Sequence, residues 1–445
     1  MNARVRNFFS ALGERFWLVP AVMVLAGILL AIVLVDVDRR GVLPPWLIEG
    51  AWLYDGGGTG ARTLLGAVVS STIGVAGTVF SITIAALSLA AGQMGPRLLR
   101  NFTRDRGNQA TLGTFLGTFC YALMVLRSVR TQAEGEFVPH LSMSVGIVLA
   151  FVCVGTLVYF VGHMASRINV DTVIELVSGD VRAAIRRLMG EDRQLAPPDG
   201  SFWNGASKVV DTREGYLQAI DSDALAEWAA SHDTVLRLLV RPGDYVFPGV
   251  PVALLTRPVD GVRDALAQAT ALGPQRIGPD DLEYAVRQLV EVAVRALSPG
   301  INDPHTAIGV IDRMAAALCE IAPLTFPSGV HERDGRIVLV VPSIDYDGLI
   351  DTMFHMIRQS ARGISPVLIR IVEVLTAVAT CERDPVRLRA LERHVGLVLD
   401  DSRRDVHTPD DLRDIWERRR RFGVARAAGV GDALAEPADP VKARE

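Results

Sequence analysis

Four stretches of this chain are long and apolar enough to read as membrane helices: Phe16–Val35, about Leu64–Gly92, about Ala110–Leu126 and about Leu141–Gly162. Each reaches or approaches the roughly 20 residues that a hydrocarbon core of about 30 Å demands. The first run is too long for a signal-peptide core, and no small-x-small cleavage site follows it, so it is expected to be a span. At 445 residues, 49% hydrophobic and 22% charged, the chain is too apolar for an ordinary soluble protein and too charged to be all membrane. Residues 1–165 are therefore expected to form a transmembrane domain, with a soluble part following.

Arginines in the short loops set the expected orientation. Arg4, Arg6 and Arg15 precede the first span; Arg97, Arg100, Arg104 and Arg106 follow the second; Arg167 follows the fourth. The two remaining loops mix acidic and basic residues, so both termini are expected in the cytoplasm, with the spans in the cell (inner) membrane. Gly95-Pro96 breaks the second helix, and the segment after it reads as amphipathic, with Arg97, Arg100 and Arg104 at lipid headgroups. The net charge of −4 gives no drive toward nucleic acid. Cys120, Cys153, Cys319 and Cys381 lack CxxC spacing, which excludes a zinc ribbon and suits a reducing compartment.

The second span carries small residues at alternating steps of four and three: Ala67, Ser71, Gly74, Thr78, Ser81, Ala85, Ser88, Gly92 and Gly95. This keeps one helix face small along its length. Two readings stand beside each other: close helix packing of the small-xxx-small kind, and a hydroxyl-lined path through an oligomer, with Ser71, Thr78, Ser81 and Ser88 at the water. No Asp, Glu, Lys or Arg lies in the core of any span, which argues against charge-coupled active transport.

Beyond the fourth span, Val170, Val173, Ile174, Val177, Val181, Ile185 and Leu188 continue at helical spacing, predicting a stalk over 166–195. Residues 205–260 alternate short strands with Pro-Gly turns around a helix at Asp223–Ala230. The rhythm resembles the small β-barrel of biotinyl and lipoyl carriers, without the lysine those need at a hairpin tip. A helical and α+β part is predicted over 278–422, and a disordered Ala/Pro/Asp/Glu tail over 425–445. Within it, Ser298–Ala307 packs turn formers and polar groups together. Asn302, Asp303, His305 and Thr306 are the candidate ligand site there, although Asp303-Pro304 also reads as a helix start. Asp334-Gly335 between apolar runs predicts a hairpin. Asp351 and His355, four apart on one helix, have metal-ligand spacing but no third ligand in view, so no metal and no cofactor is expected.

Several of these segments together resemble a bacterial family of predicted membrane proteins defined only as a domain of unknown function. They are Phe80-Ser81-Ile82 through Phe102, Leu112-Gly113-Thr114-Phe115 through Val129, Gly215–Asp221 and, most specifically, Arg295–Thr306. Members often carry Arg-Thr and Gln-Asp pairs ahead of the helix before this last corner, where this chain reads Gln275-Arg276-Ile277-Gly278-Pro279-Asp280-Asp281. The resemblance implies an architecture, four spans and a cytosolic α+β domain, and no activity.

No nucleophile elbow, P-loop, HExxH or dinucleotide fingerprint is present, so the chain is not expected to be an enzyme. The expected function is a homo-oligomeric passive channel gated by its cytosolic domain, with an ion or small polar ligand. The alternative is a membrane-anchored sensor or scaffold without transport.

Overall fold

The computed structural model describes residues 16–41, 54–94, 105–130, 137–190, 195–276 and 281–428, which fall into two units divided at Asn169. Arg97, Arg100 and Arg104 lie outside the described residues, as does residue 429 onward of the expected tail.

The N-terminal unit consists of α1 (Leu18–Arg40), α2 (Gly58–Met94), α3 (Arg106–Ser128) and α4 (His140–Ile168). All four are long and apolar enough to cross a membrane. Helix α3, the least hydropathic, is the most buried, so the unit is arranged around it. Its glycines explain this: a Cβ at Gly27 of α1 would lie 2.5 Å from the Gly117 carbonyl oxygen, and one at Gly117 only 3.0 Å from the Met23 carbonyl oxygen. The closest backbone approach thus uses Gly113-x-x-x-Gly117 of α3, which packs on α1.

Helix α2 buries a different face from the one its small residues suggest. Ala61, Leu65, Val68, Thr72, Ala76, Val79, Thr83 and Ala86 face inward. Ser71, Gly74, Thr78, Ser81 and Ser88 are exposed on the opposite side, and no helix among the described residues covers them. The buried face mixes alanines with Leu, Val and Thr, while Ile73, Phe80, Ile82, Ile84 and Leu89 are exposed along with the glycine-serine face.

The predicted continuous stalk is interrupted. Helix α4 stops at Ile168, Asn169 is extended (ψ 124°), and α5 (Val170–Leu188) begins afresh. An Asn side chain competes with helical backbone hydrogen bonding, which favours such a break. Rather than standing alone, α5 buries Val173, Ile174, Val177, Val181 and Ile185 within the C-terminal unit, against α8 (Leu282–Ala296) and α9 (Pro304–Ile321).

The strands do not close into a barrel or stay within 205–260. β1 (Ser207–Val210), β5 (Pro251–Leu255), β3 (Leu236–Leu238), β8 (Arg336–Val340) and β7 (Val330–Arg333) form one sheet in that order. β4 (Tyr245–Val246), β2 (Gly215–Ile220) and β6 (Thr270–Gly273) form a second. The parallel pairing Leu236↔Leu339 ties the predicted module to the later hairpin, whose Asp334 and Gly335 take φ of +52° and +73°. Helices α6 (Ser222–Ser231) and α7 (Val262–Ala269) accompany the sheets, and Leu217, Leu225, Leu236, Leu255, Leu266 and Leu339 make the shared core. Each such leucine contributes about 1.5–3 kcal/mol on burial.

The rest of the unit is helical: α8, α9, α10 (Tyr346–Ser360), α11 (Ser365–Cys381), α12 (Pro385–Asp405) and α13 (Pro409–Ala428). The last helix runs into the segment expected to be disordered from 425. Asp281, Asp303, Asp345 and Asp384 each accept a backbone N–H at the start of a helix. An aspartate cap of this kind is worth about 1 kcal/mol.

A candidate ligand cleft in the C-terminal unit

The cleft is built from the turn after β3, the start of α8 and strand β7. The turn Arg241-Pro242-Gly243-Asp244 is closed by Gly243 N–H donating to Leu217 O (2.8 Å) and Arg241 N–H donating to Asp244 Oδ2 (3.0 Å). Gly243 has a φ of +98°, and a Cβ there would come within 2.6 Å of Arg276 Nη2. Only glycine lets this turn lie against the charged groups beneath it.

Those groups are two buried carboxylates with three arginines. Asp281 caps α8 by accepting Tyr284 N–H (2.9 Å) and also accepts Arg276 Nε (2.6 Å) and Nη2 (2.9 Å). Glu283 accepts Arg241 Nη2 and Arg276 Nη2 (3.2 Å), with Arg287 at 3.7 Å. Burial works against the Arg276 charge, but the hydrogen bonds and charges of Asp281 and Glu283 outweigh it and hold Arg276 above its ordinary pKa.

Beside this network lies a cleft of about 280 Å³, walled by Leu188, Ile220, Leu282, Val341 and Ile344, with Ser222, Ser343 and His331 at its polar positions. Burial, more than the opposing charge of Asp223, pulls His331 below its usual value. The hydrogen-bonding capacity left over is one-sided. Asp281 accepts three arginine or backbone donors and Glu283 two, with Arg287 at ion-pair distance, whereas among the described residues Arg241 spends one of its five side-chain N–H groups, on Glu283. The cleft therefore offers donors beside an apolar wall.

The corner singled out in the sequence sits elsewhere. Asp303 Oδ2 accepts the Thr306 hydroxyl at 2.6 Å and Oδ1 accepts Thr306 N–H at 3.2 Å. The hydroxyl, above all, holds Asp303 below the usual carboxylate range. Asn302 takes a φ of +50° at the turn, and Asn302 and His305 are both exposed. The structure thus brings Asp303 and Thr306 together as a helix cap and leaves Asn302 and His305 at the surface. The Asp351–His355 pair acquires a neighbour instead: His394 of α12, 39 residues further on.

Sequence reasoning missed Arg241, Glu283 and His394 because each is an ordinary charged or polar residue in its own segment. For Arg276 and Asp281 a signal existed. They are the arginine and the second aspartate of the 275–281 stretch that departs from the pattern of the resembled family, and here they form a two-point ion pair.

No solved structure matches the chain. Uncharacterized proteins of Mycobacterium tuberculosis (strain CDC 1551 / Oshkosh) and Mycobacterium bovis (strain ATCC BAA-935 / AF2122/97) are each 30% identical to it over 372 residues, covering 81% of this chain and 71% of theirs. The model of a family described as predicted membrane protein (DUF2254) matches residues 13–377, a span that takes in all four apolar helices and every residue of the cleft. On that match, the chain belongs to the DUF2254 family of predicted membrane proteins.

Proposed function

We propose that this membrane protein is a sensor without enzymatic activity. Its four spans fix it in the inner membrane with both termini in the cytoplasm, and its C-terminal unit binds a small anion, a carboxylate or phosphate ester with an apolar body. The observation that carries this reading is the surplus of donors at Arg241, lining a cleft of about 280 Å³ whose own carboxylates are already paired with arginine. A charge-assisted, two-point contact to a planar guanidinium is the common way such anions are held. Calorimetric titration of the full chain in detergent with inorganic phosphate and short dicarboxylates tests it. Saturable binding to the wild type that Arg241→Gln removes, with an unchanged melting temperature, supports the reading. Equal binding by the variant, or no saturation with any anion, ends it.

A second reading, the passive channel, draws on the exposed small-residue face of α2. Ser71, Gly74, Thr78, Ser81 and Ser88 face out of the single chain, where a second copy of the chain can meet them. The hydroxyls of Ser71, Thr78 and Ser81 donate to carbonyls of their own helix at 3.1, 3.2 and 2.9 Å. Such a face can pack dry, which favours an oligomer contact over a water-filled path. Planar-bilayer conductance that changes on Ser81→Leu supports the channel, and a purified wild type silent across ions and pH ends it.

A further inference from the structure

Helices α10 and α12 bring together three groups that the chain order keeps apart. Asp351 and His355 lie one turn apart on α10, and His394 reaches them from α12. Asp351 Oδ1 is 3.0 Å from His355 Nε2 and 2.8 Å from His394 Nε2, and all three potential ligand atoms lie within 4.8 Å of one another. From this geometry we propose that Asp351, His355 and His394 form a binding site for a divalent transition metal, zinc above all.

Ligand atoms about 2.0–2.1 Å from a tetrahedral zinc ion stand roughly 3.3 Å apart, and both histidine nitrogens already lie near that spacing from Asp351 Oδ1, at 3.0 and 2.8 Å. Two imidazoles and one carboxylate suit a borderline cation and offer too few oxygens for calcium or magnesium. Asp351 and His355 are each about one-third exposed, at 35%, which leaves an entry path and an open fourth position. His394 is fully buried, and its Nδ1 has no hydrogen-bond partner. Its Nε2, held 2.8 Å from Asp351 Oδ1, is the atom that would face the metal.

Arg393 now holds the position a cation would take, with Nη2 2.5 Å from Asp351 Oδ1 and 2.8 Å from Asp347 Oδ1. It can release Asp351 and keep Asp347, so two carboxylates share one guanidinium and the cluster carries spare negative charge. Arg358 Nη2, 3.5 Å from His355 Nδ1, is at the edge of hydrogen-bond reach and fixes that ring only weakly. The family match ends at residue 377, ahead of His394, so the site is assigned to this chain and not to the family.

The test uses the full chain in detergent after chelator treatment, titrated with Zn²⁺ and Mg²⁺ by calorimetry and with Co²⁺ by visible absorption. One Zn²⁺ and one tetrahedral Co²⁺ per chain are expected, with Mg²⁺ failing to compete. His394→Gln, and separately the more exposed His355→Ala, should weaken binding beyond the about 10–100-fold that losing a supporting outer partner costs. Arg393→Ala should tighten it, an outcome that a purely structural charge cluster does not give. No saturable zinc binding, Mg²⁺ bound as well as Zn²⁺, or wild-type affinity in both histidine variants overturns the proposal. His355→Ala keeps the test decisive where His394→Gln fails to fold.

Discussion

Asp38, near the end of the first membrane helix, caps the fourth by binding Ser142. One carboxylate oxygen accepts the Ser142 hydroxyl at 2.6 Å and its N–H at 3.0 Å, and the other accepts Leu141 N–H at 3.0 Å. The first N–H groups of a helix have no partner within it, and inside a membrane unit they must find one. A residue that counts in the sequence only as one loop charge thus fastens two spans together.

Replacing Asp38 with alanine removes both acceptor oxygens and with them three hydrogen bonds. The expected loss is about 1–3 kcal/mol in the N-terminal unit, from the cap and the unsatisfied donors it leaves. Thermal unfolding in detergent measures it, and Asp38→Asn should fall between the variant and the wild type.

Two glycines of the membrane unit should respond oppositely to leucine. At Gly117 the first added carbon already meets the Met23 backbone at 3.0 Å, so Gly117→Leu should push α1 off α3 and abolish the folded monomer. At Gly74 nothing lies within 4 Å, so Gly74→Leu should leave the monomer's melting temperature unchanged. Comparing the two by size-exclusion chromatography and melting in detergent checks the packing directly.

Asp401 is 1% exposed and accepts from both Arg358 and Arg404. Burial, more than the nearby Arg362 and Arg404 charges, lowers the Arg358 pKa, so that guanidinium depends on its partner. Asp401→Ala strands a buried charge and should cost about 3–5 kcal/mol. Chemical unfolding of the full chain, with Asp401→Asn as the milder companion, measures this.

Burial brings His394 from 6.5 down to about 4, against the hydrogen bond and charge of Asp351. Above pH 6.5 the folded and unfolded forms are both neutral, and stability does not depend on this group. As pH falls from 6.5 toward about 4, the unfolded chain binds a proton that the folded one refuses, so stability drops by about 3 kcal/mol in all. Below about 4 the loss stops growing. His394→Gln in chelator-treated protein should flatten this slope in melting temperature against pH. Asp351 adds a separate loss below 3.8, because the hydrogen bonds from Arg393 and His394 hold its folded pKa low despite the opposing effect of burial.

Local signals in the chain were legible where the physics is local. The helix at Asp303-Pro304 and the hairpin at Asp334-Gly335 follow from capping and turn chemistry carried by those residues alone. The ligand candidates at Asn302–Thr306 were read from density of polar groups, and density does not say which of them converge. The cleft needed Arg241 after one strand and Asp281 and Glu283 at a helix start some 40 residues on, and no spacing rule links these.

By itself the sequence determined that four apolar helices come first and that a mixed helical and stranded part follows. Hydropathy, periodicity and turn preference are properties of neighbouring residues, so they survive without a fold. Only the tertiary structure decided which face of the second helix is buried, how the hairpin completes the sheet begun at Ser207, and that His394 stands beside Asp351. Those are outcomes of competition among surfaces distant in the chain. The best-fitting pair wins there, and at α2 the face of Ala, Val, Leu and Thr is the one buried.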